Sequence, residues 1–431
     1  MASESARKPN VIFILTDDLG YGDLGCYGQQ AIQTPYLDQM AAEGIRFTDC
    51  YAGSTVCAPS RCCLMTGRDT CHARVRTNAR IPLRPEDTTV AELFKEAGYA
   101  TGIVGKWGLG EPDTSGVPNR QGFDYWFGYL NQGRAHNYYP EYLWLNEDKF
   151  VLEGNTNGAK EQYSHDLFTE HALQFITAHS HEPFFLYLAY TIPHANNELG
   201  RDTGDGMEVP DYGPYADEDW PSPQKGYAAM ISRMDRDCGR IFELLQELGI
   251  DDNTLVFFTS DNGPHAEGGC HPSFFNSWGP LRGYKRDMYD GGIRVPMIAR
   301  WPGTIPAGAV SDAPWAFWDF MPTMGELAGF DAPEQIEGVC VLPAIMGEQH
   351  AHGTMAWEFM MKEFRQAVRI GKWKAVRYGL TRQTELFDLD SNVAEANDVA
   401  AQHPEIVAEA ERIFAEERAH DPDFPLDEQL N

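Results

Sequence analysis

The sequence predicts an α/β fold: a large, mainly parallel sheet flanked by helices, followed by a small C-terminal α+β subdomain. Three observations carry that prediction. Four short apolar runs each end at a polar cluster, helical periodicities lie between the runs, and the pattern changes near residue 345.

The first run, Val11-Ile12-Phe13-Ile14-Leu15, leads into Thr16-Asp17-Asp18, and the second, Ala100 to Val104, leads into Gly105-Lys106. Phe184 to Tyr190 leads to Pro193-His194, and Leu255-Val256-Phe257-Phe258 leads to Thr259-Ser260-Asp261-Asn262-Gly263. Runs this short and continuous are those of strands buried on both faces of a mainly parallel sheet. In such sheets ligands bind beyond the carboxyl ends of the strands, so the four polar clusters are expected to converge. Between the runs, Thr89 to Ala97 reads as a helix stopped by Gly98, and Met230, Met234, Cys238, Ile241, Leu245 and Leu248 recur at helical spacing. Asn196 to Gln224 is rich in Gly, Pro and Asp and is expected to be a long surface loop near the site. A β-like stretch, Gln366 to Tyr378, precedes a helix-like Pro404 to Ala419. This places a catalytic domain over residues 1–345 and a subdomain of antiparallel strands and one helix over 346–431.

Composition narrows the functional classes. The chain has 431 residues, 42% hydrophobic and 12% aromatic, enough for a sizeable core. No run approaches the roughly 18 apolar residues of a spanning helix. Met1 to Asn10 is polar and shows no leader, so the expected location is cytoplasmic, or periplasmic or secreted if a leader has been removed. A formal net charge of -30 argues against nonspecific nucleic-acid binding. An anionic substrate would need a local cationic pocket. The nine cysteines are odd in number, scattered and without CxxC or zinc spacing, which argues against a disulfide framework. Most are expected to be buried small hydrophobes. Cys57 is the exception.

Asp17, Asp18, Asp261 and Asn262 offer hard oxygen ligands suited to Ca²⁺ or Mg²⁺. Either pair alone is more often a turn former or helix cap; two pairs accompanied by the cysteine motif reverse that preference. Around the cysteine, CAPSRCCLMTGR suggests a short helix from Ser60 to Thr66, stopped by Gly67. Its N-terminus would aim free N–H groups at Cys57 and at a bound anion. That environment fits an activated thiolate, but no Cys/His/Asn protease signature accompanies it.

Cys57-Ala58-Pro59-Ser60-Arg61 followed by Thr66-Gly67-Arg68 resembles the signature of the type I sulfatases of the alkaline phosphatase superfamily. In those enzymes a maturation enzyme oxidises the cysteine to formylglycine. NVIFILTDDLGYGD, GKWGLG, PFFLYLAYTIPH, FFTSDNG, LRGYK and GGIRVP follow the family's order, so the resemblance spans nearly the whole chain. It implies an alkaline-phosphatase-like fold and one divalent cation, most often Ca²⁺, held by Asp17, Asp18, Asp261 and Asn262. By the same resemblance, hydrated formylglycine at position 57 would attack sulfur in line, with Arg61 holding the diol. Lys106, His194 and Lys285 would bind sulfate oxygens, and His194 or Lys285 would serve as acid at the leaving oxygen. The second hydroxyl would then lose its proton, expel sulfate and regenerate the aldehyde. A metal, an Arg and two Lys placed there would stabilise the charge that spreads over the sulfuryl oxygens. Outside this motif context the two lysines would be read as surface residues.

Many sulfatases carry His two residues after this lysine, where it helps deprotonate the diol; this sequence reads Lys106-Trp107-Gly108. His136, in Arg134-Ala135-His136-Asn137-Tyr138-Tyr139-Pro140, is the expected replacement or substrate contact, and His265 is a second candidate for the substrate. Tyr138, Tyr139, Tyr142 and Trp144 offer faces for sugar C–H surfaces or fill a core strand. The His-Asn-Tyr-Tyr-Pro and LRGYK patterns resemble sulfatases acting on galactose- or N-acetylgalactosamine-type sugars, so the expected substrate is a sulfated carbohydrate or aryl sulfate. Two alternatives remain at this point: a phosphatase or phosphonate monoester hydrolase of the same superfamily, and a non-catalytic sulfoglycan-binding protein in which Cys57 stays a thiol.

Overall fold

The computed structural model describes residues 7–361 and 363–426. Its main sheet is built from β1 (Asn10–Thr16), β2 (Ile45–Tyr51), β3 (Ala100–Lys106), β4 (Tyr125–Tyr129), β5 (Tyr142–Leu145), β6 (Asp148–Val151), β7 (Phe184–Ala189), β8 (Thr254–Ser260), β9 (Arg294–Arg300), β10 (Ala309–Ser311) and β11 (Trp315–Ala316). The order is β10-β2-β9-β8-β1-β7-β3-β4-β5-β6, with β11 also paired to β2. The four runs singled out in the sequence are adjacent and parallel: β8, β1, β7 and β3. Their carboxyl ends are in register, with Thr16 opposite Ser260, Leu15 opposite Ala189, and Gly105 also opposite Ala189. The polar clusters therefore meet at one edge.

The continuous apolar runs have a simple packing cause. Val11, Phe13 and Leu15 of β1 enter a core on one face, and Ile12 and Ile14 enter a second core on the other. Each such fully buried side chain contributes roughly 1.5–3 kcal/mol of transfer free energy, so neither face of the strand tolerates a polar residue until the edge is reached. Helix α1 (Ser222–Glu247) supplies Met230, Met234, Cys238, Ile241 and Leu245 to the second core.

Three expectations change. Helix α1 begins at Ser222, inside the stretch expected to be loop and ahead of the periodic positions from Met230, because Pro223 is tolerated in a first turn and Gly226 packs flush on Met207, whose carbonyl oxygen would lie 2.5 Å from an added Cβ. The Asn196 to Gln224 stretch is not all loop: Asn197–Thr203 is helical, capped by the Asn196 side chain, which accepts from the Leu199 N–H at 3.1 Å. The β-like stretch Gln366 to Tyr378 is a hairpin of Phe364–Ile370 and Trp373–Tyr378, turned at Gly371 with φ 57.

That hairpin lies between strands Met355–Met360 and Glu385–Asp388 in a four-stranded antiparallel sheet. One face, with Trp357, Ala367, Val376 and Phe387, joins the core of the main sheet. The other, with Val368, Ala375 and Leu386, packs on Ile413 and Phe414 of the helix Pro404–Glu416, which stops short of the expected Ala419. We propose the subdomain of residues 346–431, described over 346–361 and 363–426, as a unit docked on the catalytic domain through those described residues. Its buried Lys374 ammonium lies 2.5 Å from Asp290 and 3.1 Å from Glu395.

Candidate active site

Val56 is extended, with φ -147, and the chain turns helical at Cys57, so the cysteine is the first residue of the helix Cys57–Thr66 rather than a residue ahead of it. Every residue of this helix is buried, and Gly67 closes it in the left-handed region at φ 69. One of the N–H groups expected to face an anion is already engaged: Ala58 N donates to Asn78 Oδ1 at 3.0 Å. The Cys57 thiol lies 3.3 Å from Asp17 Oδ1. Burial, and then the Asp17 charge, push this thiol up from its ordinary value. The activated thiolate suggested by the helix N-terminus is therefore not what the fold builds.

Asp17 and Asp18 leave the end of β1, and Asp18 adopts φ 68, a conformation Asp tolerates better than most residues. Its N–H donates to Asp261 Oδ1 at 3.2 Å, and the Leu19 N–H donates to Ser260 Oγ at 2.9 Å, so the ends of β1 and β8 are tied together. Asn262 Nδ2 donates to Asp18 Oδ1 at 2.7 Å and to the Gly263 carbonyl at 2.9 Å, which fixes the opposite face of its amide. Asn262 Oδ1 is buried with no partner among the described residues.

Three buried cations face these acids. Lys106 Nζ is 2.5 Å from Asp17 Oδ2. Arg61 donates through Nε (3.1 Å) and Nη2 (2.8 Å) to Asp261 Oδ2, and through Nη1 to the Lys106 carbonyl at 2.7 Å. Lys285 Nζ donates to Asp18 Oδ2 at 2.7 Å and to His194 Nε2 at 3.1 Å. Burial alone would raise the Asp17 carboxyl, but the charges of Lys106, Arg61 and Lys285 hold it well below its ordinary value. Asp261 is pushed up to about 7 by burial and by the Asp17 charge. His194 sits well below its ordinary value because of burial and the Lys285 charge, and is neutral. Its Nδ1–H donates to the Ala195 carbonyl at 2.7 Å, leaving Nε2 as the acceptor turned to Lys285.

The two remaining histidines separate. His136 stacks on His194, with centroids 4.8 Å apart and planes at 12°, and its Nδ1 pairs with Glu198 at 3.0 Å. It lines a cleft of about 540 Å³ with Asn197, Glu198, Arg201, Glu267 and Arg286. His265 is enclosed: it is 1% exposed, Nε2 donates to the Pro193 carbonyl at 3.0 Å, and Nδ1 accepts from the Glu267 N–H at 3.1 Å. It wedges the turn behind His194. Tyr138 is also buried, its hydroxyl donating to the Thr191 and His194 carbonyls, so it supports the site rather than a sugar. Glu198, Glu267, Arg286 and Asn78 had no spacing signal in the sequence; only Arg286, next to Lys285, had a motif neighbour.

The sulfatase family model matches residues 9–330. The chain belongs to the sulfatase family. These enzymes hydrolyse sulfate esters. A second model, described as N-sulphoglucosamine sulphohydrolase, C-terminal, matches residues 282–419. The sulfatase is 35% identical over 414 residues to N-acetylgalactosamine-6-sulfatase of Canis lupus familiaris, covering 90% of this chain and 75% of that protein. It is 29% identical to N-acetylgalactosamine-6-O-sulfatase of Bacteroides thetaiotaomicron, covering 95% and 93% of the two chains. Among solved structures it resembles Ps i-CgsB in complex with k-i-k-neocarrahexaose, with TM-score 0.83, 28% identity, and 96% and 94% of the two chains covered. Among the described residues of this sulfatase no helix is long and apolar enough to cross a membrane.

Proposed function

We propose that this sulfatase removes sulfate from a galactose- or N-acetylgalactosamine-type sugar of a sulfated glycan, after a maturation enzyme converts Cys57 to formylglycine. The observation that carries this reading is a mismatch at Cys57. Its thiol is buried and pushed up, poorly suited to act as it stands, yet it lies at the focus of three cations and an oxygen-ligand cluster. A reactive group other than a thiol at this position reconciles the two. The hydrated aldehyde supplies an oxygen nucleophile whose second hydroxyl allows sulfate to be released as the aldehyde re-forms.

The donor set fits a hard divalent cation. Asp17, Asp18, Asp261 and Asn262 present carboxylate and amide oxygens at the ends of two paired strands, and Asn262 Oδ1 is buried, held in orientation and unpartnered. A grouping of Asp17 and Asp18 with Cys57 and His194 is also compact. His194 is the weaker ligand candidate, because both of its ring nitrogens are engaged. We therefore assign the cation to the four oxygen donors, with Ca²⁺ favoured over Mg²⁺. Bound there, it would supply Lewis-acid stabilisation of charge on the sulfate oxygens.

The remaining roles belong to the chain's own side chains. Arg61, from within the helix Cys57–Thr66, and Lys106, from the end of β3, orient residue 57 and the sulfate. Lys285, kept charged by Asp18 against the cost of burial, and His194 sit together for the leaving oxygen, where the proton must arrive. The three cations and three carboxylates balance locally. With the three carboxylates ionised, a divalent cation takes the site to a formal charge of about +2 and a singly charged sulfate ester brings it to about +1, so the anion is attracted locally against a chain of charge -30. The cleft beside His136 has the volume of a ligand site. The relatives named for N-acetylgalactosamine sulfate, and the one solved with a carrageenan-type oligosaccharide, support the sugar class.

The deciding experiment is the mass of the tryptic peptide Phe47 to Arg61 from protein made in its native host, followed by a panel of sulfated galactose and N-acetylgalactosamine sugars. A peptide lighter by the thiol-to-aldehyde change, with turnover of sulfate esters above phosphate and phosphonate esters, is the expected result. An unmodified thiol throughout would favour the sulfoglycan-binding alternative. Preferred phosphonate or phosphate turnover would favour the hydrolase alternative.

A further inference from the structure

At the end of β3, two residues beyond Lys106, Gly108 adopts φ 85, and a Cβ built there would lie 2.2 Å from Nε2 of Gln132 and 3.2 Å from its Cδ. The carboxamide of Gln132 thus occupies the space in which a side chain at 108 would begin. The backbone that brings it there continues the β3–β4 pairing: Lys106 is opposite Tyr129, the Trp107 N–H donates to the Tyr129 carbonyl at 3.0 Å, and the Gly108 N–H donates to the Leu130 carbonyl at 3.0 Å. The other side of this segment faces the loop that holds the nucleophile helix. Arg80 approaches Gly133, and Asn78 accepts the Ala58 N–H next to Cys57. Glu111 joins the two sides, lying 3.2 Å from Asn131 Nδ2 and 3.7 Å from Arg80 Nε.

Both polar atoms of this carboxamide, Oε1 and Nε2, are buried and have no partner among the described residues. Leaving a buried polar group unpaired costs about 1–3 kcal/mol. An apolar side chain of the same volume would fill the space over Gly108 without that cost. An amide held here, with one donor face and one acceptor face unused, is suited to a partner that both donates and accepts, as a hydroxyl does. His136, the expected substitute for the missing side chain at 108, is elsewhere, stacked on His194 and paired with Glu198.

We propose that Gln132 is a further active-site residue: its carboxamide takes the place left by Gly108 and hydrogen-bonds the hydrated side chain of residue 57. It accepts from one hydroxyl and donates to the other, so it favours the hydrate and orients its attacking oxygen. A carboxamide does not take up the proton, so its contribution is orientation and hydrogen bonding rather than base catalysis. The inference rests on the formylglycine reading above, and its test separates the two.

The test compares wild-type protein with Gln132→Met, which keeps side-chain volume and removes both polar atoms. The readouts are the mass of the residue 57 peptide, the rate at which an aminooxy reagent captures the aldehyde, melting temperature, and kcat and KM on an aryl sulfate. Capture requires the carbonyl form, so loss of a group that favours the hydrate accelerates it. The expected result is equal conversion of Cys57, an unchanged or higher melting temperature, about 10-fold faster capture, and a kcat lower by about 10²-fold with little change in KM. Gln132→Glu, which keeps an acceptor, covers the case in which the Met variant does not fold; it is expected to show an acidic limb in its pH profile that wild type lacks. Wild-type capture rate and kcat in the Met variant, or no such limb in the Glu variant, would overturn the role of Gln132 alone. An unmodified thiol in the wild-type peptide would overturn the formylglycine reading and this inference together.

Discussion

Arg61→Met tests how the site is held together. The guanidinium bonds Asp261 Oδ2 twice, at 2.8 and 3.1 Å, bonds the Lys106 carbonyl at 2.7 Å, and lies 3.5 Å from Asp17. It is fully buried, so no water replaces it. Without it, Asp17 keeps Lys106, but Asp261 keeps only the Asp18 N–H at 3.2 Å. Breaking a buried pair by removing one partner costs about 3–5 kcal/mol, and that is the loss expected at pH 8 in a chelator. On the proposed cation assignment, saturating Ca²⁺ would sit on the same carboxylates and supply the missing positive charge, so the loss is expected to fall toward that of the hydrogen bonds alone, about 1.5–3 kcal/mol. Acid has a parallel effect. The Asp261 carboxyl is already pushed up to about 7, so near pH 5 it is mostly protonated and the variant approaches wild type. Denaturant unfolding followed by tryptophan fluorescence, in chelator and in Ca²⁺, measures the difference. An equal loss in both conditions, or a loss below about 1 kcal/mol in chelator, would refute the assignment of Arg61 as partner to metal-binding carboxylates.

Asp23 is buried against Tyr227 at 2.5 Å and the Gly20 N–H at 2.7 Å, and burial pushes its carboxyl up to about 7 against the pull of hydrogen bonds from Ser277, Tyr227 and Gly20. A raised folded value means that this group's contribution is complete below about pH 4 and is lost as pH rises to about 7, a span of about 4 kcal/mol; Asp23→Asn should flatten that part of the stability profile between about pH 4 and 7, and an unchanged slope would contradict it. Lys374→Met leaves Asp290 and Glu395 buried without their shared cation, and about 3–5 kcal/mol of stability should be lost, seen as a lower unfolding midpoint. His136→Ala removes the ring stacked on His194, an interaction of about 0.5–1.5 kcal/mol, so kcat/KM on a sulfated sugar should fall by about 3- to 10-fold. Unchanged turnover would remove His136 from the site.

The strands and the polar clusters at their ends were legible because burial on both faces of β1, β3, β7 and β8 forces continuous apolar runs, and polar residues reappear only where the strands end. The helix after Asn196 was obscured because Gly, Pro and Asp mask a seven-residue helix whose signal is a single cap, Asn196. His265 and Tyr138 carry the residue types of a binding site, yet their polar atoms are spent on the carbonyls of residues 191, 193 and 194. Sequence pattern does not distinguish a histidine that props a turn from one that meets a ligand.

By itself the sequence determined the α/β class, through the period of apolar burial. The nucleophile position and the roles of the acids and cations are what its resemblance to the sulfatases implies. Only the tertiary structure decided which charges pair, that Cys57 opens its helix with its thiol unionised, and that Gln132 rather than His136 lies over Gly108. The physical reason is that hydrogen bonding and desolvation depend on distances of a few ångströms between residues far apart in the chain, such as Lys285 and Asp18 at 2.7 Å.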